Sequence, residues 1–126
     1  MRALIVSRTA GARGWIRSAV GPDWETDEAA DGREALRLLG HENVDLVVAD
    51  ESSEPFGAFG LARELKILPN PPAVIVVLER AQDVWLARWS GADRWFVQPV
   101  DPFELAEAAR ALGVEAGAAE PTTAGG

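Results

Sequence analysis

Three short stretches of the chain are almost continuously apolar, and they predict buried strands. They are residues 3–6, 44–49 and 73–78, and each is rich in Val, Ile and Leu. Strands that are covered on both faces have this pattern, because neither face alternates toward water. Two weaker strands are predicted at 24–29 and 94–97. The polar character of 24–29 indicates a strand at the edge of a sheet.

Segments with helical periodicity follow each predicted strand. The first four are predicted over residues 12–20, 33–39, 59–65 and 82–90, and Asp31-Gly32 marks the start of the second. The last is the clearest, because Asp101 is a good N-cap, Pro102 suits the first turn and Gly113 is a stop signal. Its inward face is predicted to hold Phe103, Leu105, Ala108, Ala109 and Leu112.

Strand and helix alternate five times, and this order predicts an α/β fold. Connections between parallel strands are right-handed, so the helices cover both faces of a doubly wound sheet. We expect one domain over residues 1–113. Residues 114–126 contain too little apolar bulk to pack, and they are predicted to form a flexible tail.

Composition narrows the classes of function. The 126 residues include 20 acidic and 12 basic side chains, a net charge of −8 that disfavours nucleic-acid binding. The chain has no cysteine and one histidine, His41, which excludes thiolate and multi-histidine metal sites. No stretch is apolar enough for a signal peptide or a membrane span. We therefore expect a soluble cytoplasmic protein that binds neither nucleic acid nor membrane.

The fold also predicts where the chemistry lies. In a doubly wound sheet the functional crevice lies outside the carboxyl ends of the strands. The residues that follow the predicted strands there are Ser7, Arg8, Thr9, Asp50, Glu51, Ser52, Leu78, Glu79, Arg80, Gln98 and Pro99.

Several stretches together resemble a known family. They are residues 2–6, 31–36 (DGREAL), 44–50 (VDLVVAD), 91–93 (GAD) and 97–102 (VQPVDP). In this order and spacing they are similar to the receiver domain of two-component response regulators. The resemblance covers about residues 2 to 113. It implies the flavodoxin-like (βα)5 fold, with a five-stranded parallel sheet of order 2-1-3-4-5.

The resemblance places Asp50 at the position that accepts phosphate from a histidine kinase in this family. The reaction needs Mg²⁺, which that aspartate and an acidic pair after the first strand hold, because Mg²⁺ favours carboxylate oxygens. This chain has Ser7 and Arg8 in place of the acidic pair. A guanidinium repels Mg²⁺ and has no lone pair with which to coordinate it.

Three further positions depart from the family. Leu78 stands where the family has a Ser or Thr that hydrogen-bonds the phosphoryl group, and Glu79 stands where a small residue is usual. Gln98 replaces the lysine that pairs with the aspartate. With these losses the resemblance implies a degenerate pseudo-receiver without catalytic residues, bound metal or cofactor, and not an enzyme. It would act in bacterial signalling by phosphorylation-independent protein–protein interaction.

Two alternatives remain at this stage. One is a working response regulator that is phosphorylated on Asp50 by a histidine kinase. The other is a domain that binds a small ligand in the crevice at the strand ends. For the pseudo-receiver, we expect the Arg8 guanidinium to pair with Asp50 and to supply the missing positive charge.

The five tryptophans suggest where a partner binds, because tryptophan is enriched at interfaces. Trp15 and Trp85 are predicted to lie in the core. If Trp89 is exposed, it would form a patch with Trp95 and Phe96 on the face made by helix 4, strand 5 and helix 5. Receivers often use this face, and the resemblance implies that it binds another signalling protein or a second copy in a homodimer.

Overall fold

A computed structural model describes residues 1–52 and 57–119, with side chains described up to residue 115. In these residues one parallel sheet has the strand order β2-β1-β3-β4-β5. The strands are β1 (Arg2–Val6), β2 (Glu25–Ala29), β3 (Leu46–Asp50), β4 (Ala73–Leu78) and β5 (Arg94–Val97). The predicted strands, the edge position of β2 and the flavodoxin-like order are confirmed.

Helices cover both faces of this sheet. They are α1 (Ala10–Val20), α2 (Gly32–Leu39), α3 (Gly57–Lys66), α4 (Val84–Ser90) and α5 (Pro102–Ala119), and a 3₁₀ turn, Ala81–Asp83, precedes α4. Alternate strand residues point to opposite faces. Leu4, Val47 and Val76 therefore pack against α2, α3 and α4, whereas Ile5, Val48 and Ile75 pack against α1 and α5.

Side-chain caps fix the starts of the helices that lead away from the sheet. The Asp31 carboxylate accepts a hydrogen bond of 2.8 Å from the Glu34 N–H. The Asp101 carboxylate accepts one of 2.8 Å from the Phe103 N–H. Both helix starts predicted from the sequence are confirmed, because each aspartate satisfies an N–H that has no partner within the helix.

The predicted end of the last helix is wrong. α5 continues through Gly113 to Ala119. A Cβ at position 113 would lie 2.9 Å from the Met1 thioether and 3.1 Å from the Trp24 ring, so this glycine allows a close contact and does not end the helix. The tail predicted over 114–126 thus falls partly on α5, and residues 120–126 lie outside the described residues.

Within the described ranges, no helix has the length and apolar character that a membrane crossing requires.

Candidate functional site

The carboxyl ends of β1, β3 and β4 meet at one edge of the sheet, as parallel strands require. The register pairs Val6 with Ala49, and Asp50 with Val77. The residues that leave these strands therefore lie side by side. This edge brings together Ser7, Asp50 and Glu79, as predicted.

Asp50 is held by two serine residues. Its side chain is buried, with 6 % of the residue exposed. The Ser7 hydroxyl donates to Asp50 Oδ2 at 2.8 Å, and the Ser52 hydroxyl donates to Oδ1 at 2.6 Å. The Ser52 N–H donates to the same Oδ1 at 3.0 Å. Both oxygens of the carboxylate are thus engaged by neutral donors.

Neighbouring groups fix the direction of the Ser7 hydroxyl. Ser7 Oγ accepts the N–H of Thr9 at 3.2 Å, which leaves its hydrogen for Asp50. The Ser7 N–H donates to the Ala29 carbonyl at 3.2 Å, and Arg13 Nη1 donates to the Ser7 carbonyl at 2.7 Å. Ser7 is completely buried, so these contacts hold the hydroxyl in one orientation.

The sequence interpretation placed Ser52 at this edge but gave it no role, and it overlooked Arg13. Ser52 lies two residues after Asp50, the spacing at which an aspartate accepts the backbone N–H of an Asx turn. That spacing was the available signal for Ser52. Arg13 had no such signal, because its contact with Ser7 depends on how α1 packs. Its Nε is also 3.0 Å from the Glu28 carboxylate, which fixes its position.

The predicted pair between Arg8 and Asp50 is wrong. Arg8 is exposed, and only its backbone N–H contacts the site, at 3.2 Å from Ser52 Oγ. Its guanidinium forms no ion pair with any carboxylate in residues 1–52 or 57–115. Arg8 lies in the bend between β1 and α1, where its side chain is exposed, whereas the Ser7 side chain points inward to Asp50.

The other positions that depart from the family supply no cation or hydroxyl near Asp50. Leu78 is completely buried and packs into the core on the side of α2, α3 and α4. Glu79 and Gln98 are exposed. Gln98 contacts the sheet through its backbone, since its N–H donates to the Leu78 carbonyl at 2.8 Å.

A second carboxylate group lies beside the first. Glu51 accepts the backbone N–H of Glu79 and hydrogen-bonds Asp83, while Arg80 Nη2 lies 3.2 Å from Asp83 Oδ1. Burial, followed by the contact with Asp83, raises the pKa of Glu51, although the Glu79 N–H acts in the opposite direction. The hydrogen bonds from Glu51 and Arg80 lower the pKa of Asp83. The pKa values of these two carboxyl groups are therefore shifted in opposite directions.

We expect Glu51→Gln to raise the free energy of unfolding at neutral pH by up to about 1 kcal/mol, since Glu51 is only half-buried. A raised folded-state pKa gives a carboxyl group that stabilises the fold when protonated and loses this contribution as the pH rises. Glutamine mimics the protonated form. Urea unfolding at several pH values should show that the free energies of unfolding of the parent chain and Glu51→Gln converge at low pH. Glu64→Gln is the control at an exposed position. An equal difference at all pH values would contradict this assignment.

The comparisons agree with this architecture. No protein-family model matches the chain. An uncharacterized response regulatory protein of Mycobacterium tuberculosis strain H37Rv is 33% identical over 113 residues, covering 83% of this chain and 85% of the relative. The chain belongs to the response regulators. The signal receiver domain of a signal transduction histidine kinase from Syntrophus aciditrophicus superposes on this receiver with a TM-score of 0.84 and 25% identity. That likeness covers 99% of this chain and 98% of the other.

A more distant solved structure shows the same fold. The CheY-like receiver domain protein of Methanospirillum hungatei superposes with a TM-score of 0.80 at 22% identity, over 93% of this chain and 96% of that one.

The residues around Asp50 do not fit the Mg²⁺ ion that the receiver family implies. Mg²⁺ binds carboxylate oxygens in octahedral geometry, and here the oxygens of Asp50 accept hydrogen bonds from Ser7 and Ser52. Across residues 1–52 and 57–115, no group of three or more His, Cys, Asp or Glu side chains is placed to hold a metal ion. Among the described residues, the side chains that hydrogen-bond Asp50 are serines, and no carboxylate takes the place of the acidic pair there.

The tryptophans of this receiver are arranged differently from the prediction. Trp95 and Phe96 are adjacent in β5, so they pack on opposite faces of the sheet, and Trp89, Trp95 and Phe96 do not form one patch. Trp85 was predicted in the core, but it is 65 % exposed. Trp15 is half-buried against the α1 and α5 side. Trp89 is 54 % exposed and lies against Arg63 of α3, with 4.2 Å between the guanidinium carbon and the ring centre.

Proposed function

We propose that this receiver is a pseudo-receiver, a cytoplasmic signalling domain that acts by protein–protein interaction without phosphoryl transfer. It is not an enzyme, and it uses no Mg²⁺ and no cofactor. The observation that carries the proposal is the engagement of both Asp50 oxygens by the hydroxyls of Ser7 and Ser52. Its partner is another signalling protein or a second copy, and neither nucleic acid nor membrane.

Phosphoryl transfer to Asp50 would require an accessible oxygen nucleophile. Asp50 Oδ1 accepts two hydrogen bonds and Oδ2 accepts one. A donated hydrogen withdraws electron density from the oxygen, and the contacts must open before an incoming phosphorus can approach in line. The buried position of the carboxylate makes that opening more costly, because the serine hydroxyls would lose their acceptor.

The transferred group would also require positive charge. Phosphoryl transfer is catalysed mainly by positioning and by electrostatic stabilisation of the equatorial oxygens. Gln98 is neutral, Leu78 has no side-chain donor, and the Arg8 guanidinium is directed to solvent. The Glu79 side chain would add negative charge beside an entering phosphate. The phosphoryl group would therefore lack positive charge to stabilise its oxygens during transfer to Asp50.

Treatment with acetyl phosphate and millimolar Mg²⁺ tests the proposal. We expect the intact mass to remain unchanged, and the tryptophan emission to be unaffected by Mg²⁺ with beryllofluoride. A working receiver treated in parallel serves as the positive control. A phosphoryl mass increment that disappears in Asp50→Asn would contradict the proposal.

The retention of Asp50 at the end of β3 is the observation that favours the second candidate, a working response regulator. In that case a cognate histidine kinase would transfer phosphate where acetyl phosphate does not. Radiolabelled transfer from autophosphorylated kinases of the same cell, with Asp50→Asn as the control, separates the two functions.

A further inference from the structure

The packing of α4 on α3 leaves an exposed groove that includes none of the residues around Asp50. It has a volume of about 310 Å³ and is lined by Gly60, Arg63, Glu64, Ile67 and Trp89. We call these residues the α3–α4 groove. Trp89 and Ile67 are 54 % and 79 % exposed, and Trp85 lies one helical turn from Trp89 on α4. Several large apolar side chains exposed near one another are typical of a binding surface.

Two arginines and one glutamate lie at the groove, since Arg63 and Glu64 line it and Arg88 precedes Trp89 in the chain. Arg63 stacks on the Trp89 ring and donates from Nη1 to the Trp89 carbonyl at 3.1 Å. Arg88, on the same short helix as Trp89, lies 5.8 Å from the Trp95 ring centre. Neither guanidinium forms an ion pair with a carboxylate in the described parts of the chain. Residues 57–98 contain five basic and four acidic side chains, although the whole chain has 12 and 20.

The start of α5 has the opposite character. Phe103 was predicted to face the core, but it is 84 % exposed, because the helix turns Leu105 and Ala109 toward the sheet instead. Asp101, Glu104 and Glu107 surround it and are exposed as well. None of these three carboxylates forms an ion pair within residues 1–52 and 57–115. We call this aromatic side chain with its acidic neighbours the Phe103 knob.

We propose that the Phe103 knob of one copy docks into the α3–α4 groove of a second copy. The inference deepens the proposed function, because it names a second copy as the partner and assigns the surfaces that meet. It rests on the charge of two exposed surfaces, because Arg63 and Arg88 outnumber Glu64 at the groove whereas three carboxylates surround Phe103, and none of these side chains forms an ion pair with the described residues. The phenyl ring would contact Trp89 and Ile67, while Glu104 and Glu107 would approach Arg63 and Arg88.

The Phe103 knob and the α3–α4 groove lie on opposite faces of the sheet, so the proposed contact between two copies is head-to-tail. α3 and α4 cover one face of the sheet, and α5 covers the other. A copy whose knob fills a neighbour's groove therefore keeps its own groove free. Such heterologous contacts either close into a ring or continue as an open chain. None of the contacts proposed for this assembly includes Asp50.

Two single variants and their mixture test this arrangement. By sedimentation velocity from micromolar to millimolar concentration, we expect the parent chain to form dimers and larger species. Trp89→Ala removes the groove and Phe103→Ala removes the knob, and each is expected to weaken association at least about tenfold, as loss of an aromatic anchor does. The mixture of the two variants still holds one intact groove and one intact knob. It is expected to form dimers that do not grow further.

Matched controls keep this result interpretable. Val114→Ala, an exposed apolar position elsewhere on α5, is expected to associate like the parent. Ile67→Asp is a second groove variant on a residue that contributes little to the core, and circular dichroism checks the fold of each protein. A monomeric parent, or a mixture that stays monomeric, would overturn the inference. Neither result touches the proposed absence of phosphorylation, which the mass measurement tests separately.

Discussion

A variant in which five positions are changed to the family's residue types is expected to become phosphorylated on Asp50, whereas the parent chain is not. The changes are Ser7→Asp, Arg8→Asp, Leu78→Thr, Glu79→Ala and Gln98→Lys. They supply metal-ligating carboxylates, a hydroxyl donor, room for phosphate and a fixed cation, the groups that stabilise charge in phosphoryl transfer. With acetyl phosphate and Mg²⁺, we expect the intact mass to change from no detectable phosphoryl increment to nearly complete labelling.

Two controls accompany this variant. The same protein with Asp50→Asn is expected to remain unlabelled. Because Leu78 is completely buried, its replacement by threonine is expected to cost stability, so a second variant keeps Leu78 and changes the other four positions. Equal labelling of the parent chain would show that the native site is active. A folded variant that binds Mg²⁺ but stays unlabelled would place the missing chemistry elsewhere.

Asp50→Ala is expected to lower the free energy of unfolding by about 2 to 3 kcal/mol, because a buried charged acceptor of three hydrogen bonds is lost. A site that held several carboxylates for a cation would respond in the opposite direction, since removing one of them would relieve repulsion. Urea unfolding at neutral pH and low salt measures the difference. Asp23→Ala, at an exposed aspartate that forms no ion pair with the described residues, is the matched control.

The variant Ser7→Ala tests whether the stability lost in Asp50→Ala comes from these hydrogen bonds. It removes one of the three hydrogen bonds, and we expect the Asp50→Ala and Ser7→Ala effects to be less than additive in the double variant, as they are for residues in contact. A parent chain that is no more stable than Asp50→Ala would contradict the hydrogen-bonded arrangement around Asp50.

The fold could be predicted because its signals are local and repeated. Apolar runs such as 73–78 specify strands that are buried on both faces, and Asp31 and Asp101 mark helix starts by capping. The edge that holds Ser7 and Asp50 followed from the rule that parallel strands end together. These inferences need only the order of the residues and the preference of each residue type for a strand, a helix or a cap.

The errors share a different cause, the direction of individual side chains. Charge, the planar guanidinium and the adjacent strand ends suggested that Arg8 would pair with Asp50, but Arg8 lies in an exposed bend and Ser7 contacts Asp50 instead. The apolar character of Phe103 suggested burial, although the position of α5 on the sheet leaves it exposed. Glycine is a common stop signal for a helix, yet α5 continues through Gly113, which lies close to Met1 and Trp24. Each outcome depends on contacts between elements that are distant in sequence.

The close packing of α5 on Trp24 has a spectroscopic consequence. Trp24 is buried at the amino edge of the sheet, beneath Met1 and Gly113, whereas Trp85 and Trp89 are mostly in water. The indole of Trp24 therefore emits from an apolar environment that collisional quenchers reach last, and the indoles of α4 emit from a surface that quenchers reach first. A single fluorescence experiment can thus distinguish undocking of the end of α5 from events in the α3–α4 groove, without any added label.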